Sequence, residues 1–398
     1  MIDDNIIELK ERVSNFIFIS ILIFYPLANL IYYKNPLDLL GINFYSLICY
    51  TSLYLIFSIN IIFNQRALYF FILFLSIFFF TIFINFYIHI NNYNYLIQYE
   101  IGVTSIMMAF LCLLVINNKN LNLVGIIIIL SCLTQAIVSI YHEFTMVEKM
   151  HFLNNDSQNR QTGFLLNANL FSSFISVGFI LNLHTNYFFK LFKKLQFKYL
   201  INILIAIIFY TAIYYSESRF SLYFCFLYLV LFLVYEFYKL FNLKNFLVIS
   251  IVFIFFISIL LKYFFSLNID NRVAMGFNDS VRVLKYYLGI KTILLNHVDL
   301  LFGMDRLYFS QLRMNNVRLS DNSIIYLIMY LGLPYACIFF LSILYIMLRY
   351  AKLNILSITL FFGLVVNLFI NGAIYWHVYL LYFFSIYFVI FKKIEQNN

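Results

Sequence analysis

Charge is what this chain has least of. Asp, Glu, Lys and Arg together make up 11% of its 398 residues, where an ordinary soluble domain has about a quarter. Too few charges to clothe a water-facing surface exclude a soluble globular protein. The five cysteines (Cys49, Cys112, Cys132, Cys225 and Cys337) each lie alone inside an apolar run. With no CxxC and no Cys/His pairing at ligand spacing, we expect neither a disulfide framework nor a metal site, and read them as small hydrophobes. The six histidines form no HxxxH or HExxH; His142, His151, His297 and His377 fall on the outer side in the topology below, and all six read as structural before catalytic. There is no Gly-rich P-loop, no GxGxxG and no internal repeat, so nothing points to a nucleotide site or to ATP. No cofactor is expected.

What is present is apolar: 64% of the chain is hydrophobic and its mean hydropathy is +0.90. The pattern predicts an all-α integral membrane protein, one polytopic transmembrane domain over 1–398. The 21% aromatic content reads as lipid-facing filler. A crossing helix needs about 20 apolar residues. Runs of that kind fall near 16–33, 44–63, 67–88, 101–117, 122–142, 164–184, 200–215, 220–238, 245–265, 323–348, 354–371 and 374–391. The polar, acidic start MIDDNIIELKERVSN and the missing small-x-small exit make the first run an expected uncleaved helix, not a signal peptide. Twelve spans put both termini on one side. With both in the cytoplasm, the short inner loops carry the lysine clusters, as the positive-inside rule requires. One large excursion, 266–322, then lies outside.

Counting the two sides separately gives 11 Lys and 3 Arg inside, against 5 Lys and 7 Arg outside. Lysine marks topology here, and arginine marks something else. The outer arginines are Arg160, Arg219, Arg272, Arg282, Arg306, Arg313 and Arg318. A guanidinium grips phosphate or carboxylate through two parallel hydrogen bonds, which an ammonium cannot do. Headgroup contact or pairing with Glu217, Asp270, Asp279 and Asp305 accounts equally well for any single arginine, but less well for the set.

Four polar stretches interrupt the apolar background. NRQTGFLLNAN, 159–169, opens the sixth span with Arg160, Gly163, Asn167 and Asn169. Its asparagines fall in the first turns, where unpaired N–H groups and the helix dipole favour an anion, although simple capping accounts for one of them. SESRF, 216–220, is a tight hairpin that leaves Arg219 at the membrane boundary, with Ser218 as a cap and Glu217 as a candidate partner. DSVRVLKYYLGIKTILLN, 279–296, gathers Arg282, Lys285, Tyr286, Gly289 and Asn296 on one helical face. Such a helix can lie on headgroups or roof a cavity. Finally, Asp321 and Asn322 stand at the outer mouth of the tenth span. A cap is the default for both; Asp321, kept ionised there, is also a candidate general base.

Taken in order, Arg160-x-x-Gly163-Phe164-x-x-Asn167-x-Asn169, Ser218-Arg219, Ser280-x-Arg282 with Leu301-Phe302-Gly303, and Asp321-Asn322 with Gly332 resemble the O-antigen polymerase and ligase superfamily. The resemblance covers roughly 160–335, while the first five spans match only in hydropathy. Each motif is short, and order and side carry the specificity. The resemblance implies a GT-C-like, all-helical glycosyltransferase of the bacterial inner membrane. Its substrate would be undecaprenyl-diphosphate-linked oligosaccharide at the periplasmic face. It further implies membrane lipid and a chain-length regulator protein as partners, with no nucleic acid. Arg160, Arg219 and Arg282 would stabilise the departing diphosphate without metal, and Asp321 would take the acceptor proton. Asn167, Asn169, Lys285, Asn322 and Gly163 would contact substrate. Ligases of this group typically carry His where Asp321 stands, which favours the polymerase branch. Ala168 in place of a common Pro, and Met304-Asp305 in place of a second glycine, depart from the pattern. A ligase acting on lipid A core is the enzymatic alternative, and a flippase for lipid-linked repeats the non-enzymatic one.

Overall fold

The structure is a computed structural model of the chain. It describes residues 4–24, 115, 121–145, 168–184 and 198–240, and in the C-terminal part residues 291, 294, 300–301, 328, 332–334, 336–338, 340–341, 344, 357–363, 367 and 382–385. Every described residue is helical except the turn at 216–218 and Gly332. Five long helices are defined: α1 (Asp4–Phe24), α2 (Leu121–Thr145), α3 (Ala168–His184), α4 (Lys198–Tyr215) and α5 (Arg219–Leu240). Among the described residues one helix, Leu121–Phe144 within α2, is long and apolar enough to cross a membrane. Its 24 residues span about 36 Å at 1.5 Å per residue. The apolar segments of α3, α4 and α5 are shorter.

The chain divides into two compact units. One comprises 1–131, 282–352 and 364–398; the other comprises 132–281 and 353–363. In the first, α1 departs from the expected boundary. Apolar patterning starts the helix near residue 16, yet it runs unbroken from Asp4 through the polar leader. An Arg12–Glu8 pair at 2.7 Å spans one turn of this leader. Both side chains are well exposed, so it contributes only a few tenths of a kcal/mol. Further along α1, the Leu22 carbonyl accepts hydrogen bonds from the Tyr382 hydroxyl and, at 3.5 Å, from Ser131. The tenth span also differs from a single run over 323–348. Gly332 leaves the helix with φ 82°, its N–H still bonded to the Ile328 carbonyl at 2.9 Å. Its own carbonyl starts the next turn by accepting from Ala336 N–H at 3.2 Å. Gly-Leu-Pro breaks the helix because glycine takes the left-handed φ freely and Pro334 has no N–H to offer the preceding turn.

The second unit is built around α3, which packs against both α4 and α5. From Phe171 to Asn182 every α3 side chain is buried. Close approach is made possible by Gly178: a Cβ there would sit 2.5 Å from Cys132 Cβ on α2. The Cys132 thiol lies 3.5 Å from the Phe174 carbonyl, so this cysteine packs as a small hydrophobe. Hydrogen bonds secure the C-terminal end of α3. Asn182 Nδ2 donates to the Asn202 carbonyl of α4 at 2.9 Å, and His184 Nε2 lies 2.6 Å from the Tyr228 hydroxyl of α5. The His184 ring also meets Tyr228 and Phe232 edge-on. These contacts run α4 antiparallel to α3 and α5 parallel to it.

Candidate functional site

The hairpin between α4 and α5 is closed by its own side chains. Glu217 N–H bonds to the Tyr214 carbonyl at 3.0 Å and adopts φ 52°, a left-handed conformation usually given to glycine. A complete Schellman turn would also bond the next N–H, that of Ser218, back to the Ile213 carbonyl. Here the Ser216 hydroxyl stands between them. It receives Ser218 N–H at 3.4 Å and donates to the Ile213 carbonyl at 2.6 Å. The Ser218 carbonyl then accepts Leu222 N–H at 3.1 Å, which makes Ser218 the N-cap of α5 and Arg219 its first helical residue. Ser218 therefore stands at the N-cap position expected for it, with its N–H held by the hydroxyl of a second serine, Ser216.

From this cap a run of hydroxyls leads to the start of α3. Ser218 Oγ lies 3.5 Å from Ser221 Oγ, a long contact. Ser221 donates to Ser172 Oγ at 3.0 Å, and Ser172 donates to the Asn169 carbonyl at 3.0 Å. Ser172, Ser218 and Ser221 are all buried, as are the adjacent Ser173 and, one turn on, Ser176. Ser172 and Ser221 each lie in the first one or two turns of their helices. The contact therefore brings the N-termini of α3 and α5 side by side, pointing the same way. Two parallel helix starts bring their positive dipole ends together.

Two of the sequence-predicted site residues fall on this feature. Asn169 is the second residue of α3, half-buried, and Arg219 opens α5. The structure brings these two openings together. Asn167 immediately precedes α3 and, with Arg160, Gly163, Arg282, Lys285, Asp321 and Asn322, lies outside the described residues. Of the amphipathic stretch 279–296, Lys291 and Leu294 are described; both are helical and exposed. Sequence reasoning missed Ser172, Ser216 and Ser221. A usable signal was there, since hydroxyls inside an apolar run bond across helix interfaces more readily than they face lipid. Among the described residues, no three of His, Cys, Asp and Glu stand close enough to hold a metal ion together. Compared with protein-family models, curated proteins and solved structures, the chain matches none of them.

Proposed function

We propose that this protein is a multi-pass glycosyltransferase of a bacterial inner membrane, with twelve spans, both termini cytoplasmic and the 266–322 excursion on the periplasmic side. Its reaction is polymerisation of a surface polysaccharide. A glycan chain passes from undecaprenyl diphosphate to a sugar hydroxyl on a lipid-linked repeat unit. The anomeric carbon–oxygen bond to the diphosphate breaks, a glycosidic bond forms, and the acceptor hydroxyl loses its proton. That chemistry needs cations on the leaving diphosphate and a base for the proton. Arg160, Arg219 and Arg282 take the first role and Asp321 the second, while Asn167, Asn169, Gly163, Lys285 and Asn322 contact substrate.

The observation that carries the reading is the Ser221–Ser172 bond at 3.0 Å. Two motifs separated by some fifty residues, one ending in Asn169 and one beginning at Ser218-Arg219, share one end of a single helical unit. A diphosphate site drawing on both needs that juxtaposition. Arg282 and Asp321 enter on sequence grounds and are tested by substitution. Arg282→Lys and Arg160→Lys keep the charge but lose the fork, so elongation falls strongly if two-point phosphate contact matters. Asp321→Asn abolishes elongation if the carboxylate accepts the proton.

Clean deletion of the gene tests the function as a whole through the surface polysaccharide. A missing polymerase leaves lipid A core bearing a single repeat. Long chains stranded on the carrier lipid identify a ligase instead, and loss of both from the outer side identifies a flippase. Long chains persisting on lipid A core would overturn all three.

A further inference from the structure

Two fully buried serines join the halves of the candidate site, and neither has been given a role of its own in the chemistry above. Ser172 and Ser221 meet hydroxyl to hydroxyl at 3.0 Å between α3 and α5, whose other end is held by the His184–Tyr228 contact. Each is one link of a directional run: Ser218 to Ser221, Ser221 to Ser172, and Ser172 to the Asn169 carbonyl. Both ends of the run are backbone features of the candidate site. One end is the N-cap that fixes where α5 begins, and so where residue 219 stands. The other is the first turn of α3, which carries Asn169. Apolar packing between helices tolerates sliding and rotation, because dispersion contacts have little directional preference. A buried hydroxyl pair does not, since leaving either partner unbonded away from water costs more than the bond itself contributes.

We infer that Ser172 and Ser221 are positioning residues that lock the register between the first turns of α3 and α5, and thereby hold Arg219 and Asn169 at the spacing the diphosphate requires. This rests on the polymerase reading for its consequence, though not for its geometry. A hydroxyl pair suits the task better than an ion pair, because it adds no charge beside an anionic ligand. Serine also suits it better than a longer residue, because the helices stay close enough to share the contact. Ser216 extends the same logic into the hairpin, tying the cap of α5 to the last turn of α4.

The test uses the full chain reconstituted in lipid with an undecaprenyl-diphosphate-linked repeat unit, following polymer formed and kcat and KM for the donor. Loss of one neutral hydrogen bond is worth roughly a two- to tenfold change in a rate or equilibrium constant. Ser172→Ala and Ser221→Ala are each expected to lower kcat/KM by about that factor. The double variant is expected to be no worse than either, and Ser221→Ala to add nothing in an Arg219→Lys background. A role in general stability alone would instead give losses that multiply across Arg219→Lys. The paired variant Ser172→Cys, Ser221→Cys supplies a second arm. Oxidation is expected to join the two cysteines and to raise activity above the reduced state, with the single-cysteine variants showing neither effect. Wild-type kinetics in both alanine variants, multiplying losses, or failure of the pair to cross-link would overturn the inference while leaving the polymerase reading intact. Absence of polymer from the wild-type protein would overturn that reading, and the positioning role with it, whatever the cross-linking shows.

Discussion

Helices α3 and α4 lie against each other, and their compositions are the reverse of what water would select. ANLFSSFISVGFILNLH, α3, contains three serines, two asparagines and a glycine, yet it is the buried one. KYLINILIAIIFYTAIYY, α4, is the more uniformly apolar, yet Ile203, Leu204 and Ile207 are exposed along one side of it. In a soluble protein the more polar helix would sit outside. Lipid inverts the rule: tails offer nothing to a hydroxyl, so small and polar residues turn toward other helices and aliphatic ones face outward. The same inversion appears within α2, where Gln135 and Ser139 are buried while Leu130, Ile137, Tyr141 and Phe144 are exposed. This pairing of composition with exposure, more than hydropathy alone, supports the membrane reading.

The sharpest way to break the comparison is to put a charge on the outward side of α4. Ile207 is 55% exposed; in water Ile207→Lys would change stability by no more than about 0.5 kcal/mol. Facing lipid, the same change costs about 2.5–3.5 kcal/mol of insertion energy at mid-span. We expect a marked fall in membrane-integrated protein, read by fluorescence size-exclusion of a tagged chain, and normal levels would place this face in water. Next in size is Gly178→Ala on α3. Its new Cβ collides with Cys132 Cβ, an atom fixed to the α2 backbone, so overpacking of about 1–3 kcal/mol is expected in thermal unfolding in detergent. Because the clash is with Cβ, Cys132→Ala should not relieve it and Cys132→Gly should.

Smaller effects test how α3 is held at its ends. Tyr228→Phe removes the hydroxyl facing His184 and is expected to lower the unfolding midpoint by the equivalent of about 0.5–1.5 kcal/mol. An unchanged midpoint would show that ring packing alone secures that end. The smallest shift lies in the hairpin. Glu217→Gly relieves a left-handed φ of 52° and should raise stability by up to about 1 kcal/mol.

Much of this arrangement was legible in the sequence. Apolar run length located α2, α4 and α5 to within a few residues, and turn chemistry located the 216–218 hairpin, because both are local properties. The helical polar leader of α1 was not legible, since a period of apolar residues cannot mark a helix that has not yet become apolar. Nor was the break at Gly332, where an apolar run of sufficient length conceals one glycine and one proline. At the site, Asn169 and Arg219 stood out because polar residues at the edge of an apolar run are conspicuous. Ser172 and Ser221 did not. A serine inside such a run looks like tolerated filler until a second helix supplies its partner, and that partner lies 49 positions away.

The most direct test of the central proposal is polymerisation by the purified protein in liposomes supplied only with undecaprenyl-diphosphate-linked repeat unit. A ladder of lengthened glycans, with undecaprenyl diphosphate released once per bond formed and the ladder formed more slowly by Arg219→Lys, is the predicted result. Unchanged repeat units with no diphosphate released would contradict it.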